Sequence, residues 1–425
     1  MAGPAAAADD APDRFDVVVV GAGMAGATAA LGLAQGDLRV ALVEPTPFEA
    51  MVAPAFDGRA SAISFSCFRQ WRALGAAADI AAHAQPIHQI LVTDGRSPGA
   101  SAARPSSAWL RFDSSEIADR SDGEPLGWLI ENRHIRSGLA AAVRASPISL
   151  FAEARVMAVT AGPGASEVVL DDGRTLQAPL VVAADGRSSP VRGAAGIGVG
   201  GWSYPAVGVV ATVGLGRDHN GVAYEHFLPS GPFAILPITD RRASLVWTER
   251  PERGRALMAA RQEVFEAHLR RRFGGFLGEI EVLGPRFAYP LGLQLADQIT
   301  SERLALIGDA AHAVHPIAGQ GLNMGLKDAA ALAEVIVDAA RLGEDIGSAT
   351  VLARYARWRS VDNLGVALAT DVFHRLFSTN HPLIRAARGL GLAAVNRTGV
   401  ARRAFMHEAG GAAGDLPRLL RGEAV

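Results

Sequence analysis

Three acids in this chain, Glu44, Asp185 and Asp309, each follow a short apolar run, and each sits where a ligand could be held. Asp309 lies in Gly308-Asp309-Ala310-Ala311-His312, after Leu304-Ala305-Leu306-Ile307 and ahead of Pro316-Ile317-Ala318-Gly319-Gln320-Gly321-Leu322-Asn323. A buried strand that delivers an acid into a Gly-rich loop, followed by a helix start, surrounds one ligand with a carboxylate, backbone amides and the positive end of a helix dipole. Taken alone, that stretch suits many ligands. Asp185 opens Asp185-Gly186-Arg187-Ser188-Ser189-Pro190-Val191-Arg192 just after the run 180–184, at the strand end where open α/β sheets bind ligands. Glu44 closes the run 38–43. It completes a fingerprint with Gly21-Ala22-Gly23-Met24-Ala25-Gly26, which follows a β-branched run and leads into a helical pattern. Gly21 serves the turn, Gly23 lets a pyrophosphate approach and Gly26 lets helix and strand pack. Glu44 can accept hydrogen bonds from an adenosine ribose.

Other candidates carry two readings each. Arg59 follows Asp57-Gly58 at the start of a predicted helix over 57–74, and Arg133 lies early in a predicted helix over 131–144. Either is a solvated cation or a contact to phosphate or flavin. His312 and His315 suit acid–base work, and a structural role suits them equally. Cys67 reads as a buried small apolar residue, since no basic partner can be identified for it. A second Gly-x-Gly-x-x-Gly match, Gly196 to Gly201, has no strand entering it and no acid at the right distance, so a loop is expected there.

The elements that position these residues predict an α/β fold. Its parts are a Rossmann-like domain, an inserted antiparallel sheet over 204–247, one amphipathic helix over 250–273, and a C-terminal helical region with a packing stripe at Leu352, Tyr355, Trp358, Leu364 and Leu368. The expected division is a disordered tail at 1–14, a discontinuous cofactor domain at 15–84, 114–192 and 285–345, a substrate domain at 85–113 and 193–284, and the helical region at 346–425. Hydrophobic content of 49% with 20% charged residues fits a globular protein. Lys+Arg of 41 against Asp+Glu of 43 gives no electrostatic footprint for nucleic acid. The single cysteine excludes a disulfide within the chain and a cysteine-based metal site, and no metal site is expected. The apolar stretch 17–34 has the length of a membrane span, but its glycines fall in a strand–turn–helix pattern, so no transmembrane segment is expected. The N-terminus lacks the basic start and apolar stretch of a signal peptide.

Together, the three motifs resemble the single-component flavoprotein aromatic hydroxylases. The wording from His315 to Asp328 is similar to the ubiquinone-biosynthesis hydroxylase family, as are Asp57-Gly58-Arg59, Gly231-Pro232 with Leu236-Pro237, and the tail from Phe405-Met406 to Gly414-Asp415-Leu416-Pro417-Arg418. The resemblance implies FAD as cofactor. It puts the pyrophosphate at Gly21, Gly23, Met24, Ala25 and Gly26, the adenosine ribose at Glu44, and the ribitol chain at Gly308-Asp309. It brings Pro316, Gly319, Gly321, Leu322 and Asn323 to the isoalloxazine, makes Arg59 and Arg133 flavin or phosphate contacts, and gives Asp185-Gly186 a part in supporting FAD and a transient NAD(P)H. The implied reaction is hydroxylation of a polyprenylated phenol by dioxygen through a flavin hydroperoxide, with NAD(P)H or another donor as reductant. No catalytic residue follows from the resemblance. Two alternatives stand beside it: hydroxylation of a small soluble aromatic, and a non-catalytic flavin scaffold in a biosynthetic complex. The Trp-x-Trp-x-Ile-Pro pattern of flavin halogenases is absent. A ubiquinone-biosynthesis complex is the implied partner, and a cytoplasmic location peripheral to the inner membrane is expected.

Overall fold

The computed structural model describes residues 12–53, 58–94, 110–116, 124–228, 230–313, 320–360, 398, 406, 410 and 414–425. Its centre is a sheet in which Leu304–Leu306, Leu180–Ala183, Val17–Val20, Val40–Glu44 and Ser149–Ala152 run parallel in that order, with Thr300–Ser301 antiparallel at one edge. The unbroken valine run of the first strand has a physical cause. Val17 and Val19 pack on one face with the helices Met24–Gln35 and Gln320–Arg341, and Val18 and Val20 pack on the other with Val168, Leu170 and Leu176. Both faces are covered, so no polar alternation survives. Each buried valine contributes roughly 2 kcal/mol of transfer free energy. The stretch 17–34 is thus strand, turn and helix, and among the described residues no helix is long and apolar enough to cross a membrane.

A second sheet of eight strands has the order His312–Ala313, Ile280–Ala296, Val199–Leu215, Arg242–Glu249, Gly231–Ile238, Val222–Leu228, Gln89–Asp94, Leu110–Asp113. Neighbours are antiparallel except Val222–Leu228 with Gln89–Asp94. The helices Pro251–Ala259 and Gln262–Phe273 cover its outer face, where Phe265, Leu269 and Phe273 meet Val209, Phe233 and Trp247. A three-stranded sheet of Ala60–Ser64, Gly127–Glu131 and Gln85–Ile87 lies between the two larger ones, sharing apolar contacts with both.

Several local expectations change. The predicted helix over 57–74 is a strand, Ala60–Ser64, and then a helix, Phe65–Ala73, whose Ser64 Oγ accepts from the Cys67 amide at 3.4 Å. Ala and Ser fit both periods, and pairing with Gly127–Glu131 decides for the strand. The single helix over 250–273 is two, because Ala260 is extended with ψ 144°. The second glycine match is not a loop throughout: Val199 starts a strand paired with Ala296, a partner that local sequence cannot reveal. Asp13 and Arg14, placed in the tail, pair in parallel with Leu176 and Gln177. The strand Ile280–Ala296 runs across the boundary expected at 285. Leu364 and Leu368 lie outside the described residues, as do Asp57 and residues 1–11 of the tail.

Candidate functional site

The parallel strands bring Gly21, Glu44, Asp185 and Gly308-Asp309 to one edge, since each follows or ends a strand running the same way. The first turn is closed by Glu44, whose carboxylate accepts from the amides of Ala22 at 2.8 Å and Thr46 at 3.1 Å. Gly21 has φ 99°, and a Cβ there would lie 2.5 Å from the Ala184 carbonyl oxygen; a Cβ on Gly26 would lie 1.9 Å from that of Gly21. Both positions therefore exclude any side chain. Gly23, by contrast, faces open space, and no side chain caps the helix Met24–Gln35 that it begins. Met24 and Ala25 form the first turn of that helix, so free amide donors face the opening. Beside Glu44 a cavity of about 240 Å³ is lined by Ala22, Gly23, Met24, Thr46, Met51 and Arg136, among others.

The third motif is braced from beneath. Asp328, wholly buried, accepts from the Gly308 amide at 3.0 Å and meets His312 Nε2 at 2.6 Å through one oxygen, and accepts from Arg359 Nε at 2.7 Å through the other. The cations beside it hold its carboxyl well below the usual range, against the opposing effect of burial. An ionised carboxylate only accepts, so His312 Nε2 carries the hydrogen. This network orients the Gly308 turn, which gives His312 a structural part. Gly325 of the long helix closes against the same turn: a Cβ there would lie 2.9 Å from Gly308 Cα. Tyr355 donates its hydroxyl to the Leu306 carbonyl at 2.8 Å.

The second motif reaches the third through Arg192. Its buried guanidinium donates to the Ala310 carbonyl at 2.8 Å and the Arg187 carbonyl at 3.0 Å. Asp185 accepts from the Val191 amide at 3.1 Å with one oxygen, and its other oxygen is buried without a partner. Gly186 adopts φ 87° in the turn that follows. Asp309 is exposed to the cleft, yet crowding pushes its carboxyl above the usual range against the pull of His312, Arg187 and Arg59. An accessible acid that is nonetheless desolvated marks a concave site.

Most of the expected site residues converge here, with differences. Arg59 acts on Asp309, and its carbonyl accepts from the Asn132 amide. Arg133 is ion-paired to buried Glu131 at 2.8 Å, and the arginine of its helix that lines the Glu44 cavity is Arg136. Gly321, Leu322 and Asn323 lie in the first turn of Gln320–Arg341. The Asn323 side chain bonds the Ser64 amide at 2.9 Å and the Ala62 carbonyl at 2.8 Å, tying the helix to the small sheet. Pro316 and Gly319, like His315, lie outside the described residues. Arg136, Arg187, Arg192 and Asp328 were missed as site residues by sequence reasoning. The Arg192 signal was visible at the end of its motif, but its target, a carbonyl of another motif, was not. Among the described residues no cluster of His, Cys, Asp and Glu could hold a metal ion.

The donors fit a dinucleotide: an uncapped helix start and an open Gly23 for a pyrophosphate, an acid beside a cavity for a ribose, and an unpaired Asp185 oxygen toward the same edge. Residues 14–360 match the family model described as FAD binding domain. The chain is 43% identical over 411 residues to ubiquinone hydroxylase UbiL of Rhodospirillum rubrum, which covers 96% of this chain and 92% of that protein. It is 35% identical over 393 residues to 3-demethoxyubiquinol 3-hydroxylase of Escherichia coli, with coverages of 91% and 96%. Among solved structures, p-nitrophenol 4-monooxygenase PnpA of Pseudomonas putida superposes with a TM-score of 0.76 over 93% of this chain and 98% of that one; at 22% identity this likeness concerns the fold. Fold, donors and relatives define an FAD-dependent monooxygenase acting on an aromatic ring. The chain belongs to the ubiquinone-biosynthesis hydroxylase family.

Proposed function

We propose that this protein hydroxylates the ring of a phenol carrying a polyprenyl chain, on the route to ubiquinone, with electrons from NAD(P)H or another donor. The carrying observation is the relative at 43% identity, itself named a ubiquinone hydroxylase, matched along nearly its whole length. FAD, when bound, supplies the activation of dioxygen. The chain's own residues hold and orient it. The amides after Gly23 would hold the pyrophosphate, Glu44 the adenosine ribose, and Asp309 the ribitol chain. The start of Gln320–Arg341 offers the positive end of a helix to the ring system. Arg192 and Asp328 keep the two motif turns in register. The substrate has to be held with water kept from the reacting atoms, a task that falls to the eight-stranded sheet in this reading. In this reading residues 15–84, 114–192 and 285–345 serve the cofactor, 85–113 and 193–284 the substrate, and 346–425 pack behind them. The protein works at the surface of the inner membrane, where a lipid substrate is reached, within a biosynthetic complex.

Deleting the gene in its host and profiling quinones by mass spectrometry tests the reading. Accumulation of an under-hydroxylated prenylated phenol is expected, with ubiquinone restored by the intact gene. Normal ubiquinone with no such intermediate sinks it.

A further inference from the structure

We propose that Glu225, on the inward face of the eight-stranded sheet, receives the ring hydroxyl of the aromatic substrate; this rests on the phenol reading above. Strand register fixes the face. Glu225 stands opposite Ala234, Ala234 opposite Val246, Val246 opposite Val210, and Val210 opposite Phe287. One row of side chains therefore crosses five strands on a single side. The alternate positions, Phe233, Trp247 and Val209, fill the other side against Phe265 and Leu269 of the covering helix.

The Glu225 row faces the cofactor edge. Ala223, two residues earlier and on the same side, packs with Ile87, Leu129 and Ala62. The Ala62 carbonyl is the one that Asn323 holds from the start of the long helix. At the far end of the row, the Phe287 ring occupies the place of a side chain on Gly58, whose Cβ would lie 2.1 Å from Phe287 Cε2. The next residue is Arg59, which acts on Asp309. The row thus runs across the ground between the long-helix start and the ribitol acid.

On this face polar atoms lack partners. Glu225 Oε2, Thr212 Oγ1 and Thr248 Oγ1 are buried with no hydrogen bond. Both threonines lie two residues from members of the row, so they share its side. Beside Glu225 in register are Val92 and Ala234, and Phe227 follows on the same side. Burial among such neighbours pushes the Glu225 carboxyl up to about 7. A carboxyl oxygen left unpaired among apolar side chains costs stability, and such a group is retained where a ligand completes it. Above pH about 7 the carboxyl is ionised and only accepts, so its complement is an O–H donor on an otherwise apolar molecule, which describes a phenol with a hydrocarbon chain. The same charge disfavours aromatic acids, whose carboxylate would meet it. Accepting the hydrogen bond also raises electron density on the ring oxygen and its ortho and para carbons, which favours electrophilic oxygen transfer to the ring.

The test uses the FAD-loaded full chain and two probes, 2-nonylphenol and its methyl ether, with binding read from the absorbance of the bound flavin. At pH 8.5, where Glu225 is ionised, the wild type is expected to bind the phenol about tenfold tighter than the ether, the margin of a charge-assisted hydrogen bond. Glu225→Leu should retain FAD and bind the two probes within about threefold of each other, and Glu225→Gln should fall between. Should the Leu variant fail to hold FAD, the Gln variant decides alone. An unchanged preference in an FAD-retaining variant overturns the inference and leaves the phenol reading standing. Failure of the wild type to bind either probe removes both.

Discussion

Replacing Asp328 by Asn tests the brace beneath the Gly308 turn. The carboxylate serves three donors: the Gly308 amide, His312 Nε2 and Arg359 Nε. The amide of Asn has one acceptor oxygen, and its NH2 must face at least one of those donors. Arg359 is 3% exposed, so its charge would be left buried against a neutral partner. Breaking one side of a buried ion pair costs about 3–5 kcal/mol, and the oxygen that remains keeps the loss near about 3 kcal/mol. Unfolding entropy near about 2.1 cal/mol/K per residue gives about 0.9 kcal/mol/K for 425 residues, so the melting temperature should fall by about 3–4 °C. The freed Gly308 turn should also weaken FAD binding about tenfold, which corresponds to about 1.4 kcal/mol. Calorimetry gives the first quantity, and ultrafiltration with flavin fluorescence gives the second. The pH dependence has a definite sign. The Asp328 carboxyl is held low in the fold, so its contribution is full above the unfolded carboxylate range and is lost as pH falls through the folded value. The variant should therefore lose less stability on acidification than the wild type. A melting temperature within about 1 °C of wild type, with FAD binding intact, would refute the argument that this network carries the turn.

Glu225 works in the opposite direction. Its carboxyl is raised to about 7, so the stability it contributes is present below the unfolded value near about 4.5 and is lost as pH rises through about 7. In FAD-free protein Glu225→Gln should add about 2 kcal/mol at pH 8, discounted from about 3 for its partly open setting, and almost nothing at pH 4.5; equal gains at both pH values in thermal melts would contradict the burial argument. Gly26→Ala places a methyl 1.9 Å from the Gly21 carbonyl oxygen and should yield protein purified without FAD, read from its visible spectrum; normal flavin content would show that the turn yields. Arg192→Lys cannot reproduce the fork onto the Ala310 and Arg187 carbonyls, so it should weaken FAD binding nearly as much as Arg192→Met, by about tenfold or more. Full rescue by Lys would mean that charge alone suffices there.

The parallel sheet and its three motif turns were legible because each is written locally: an apolar run, then a turn whose residue types have few alternatives. The antiparallel sheet was legible as a class, but its register was not. Val199 begins a strand only because Ala296 lies opposite, and Ala60–Ser64 is a strand only because Gly127–Glu131 pairs with it. Those decisions come from distant segments and override weak local preference. The site divides in the same way. Glu44 and Asp309 announce themselves by following strands, whereas Asp328 and Arg359 sit in helical patterns where an acid and an arginine look like solvated residues until burial is known. Arg133 and Arg136 differ by less than one helical turn, and only the packing of their helix shows which one lines the cavity.

The brace on the Gly308 turn also bears on how the protein comes into being. Gly21 and Glu44 leave the ribosome early, but the strand Leu304–Leu306, Asp328 and Arg359 follow much later. Until they arrive, Leu180–Ala183 has an open edge and the Gly21 turn has no Gly308-Asp309 turn beside it. A nascent chain therefore carries half a cofactor site beside an unpaired parallel strand, a combination prone to wrong pairing. Loading of FAD belongs to the end of synthesis, and cells short of flavin should accumulate this protein in an aggregation-prone form.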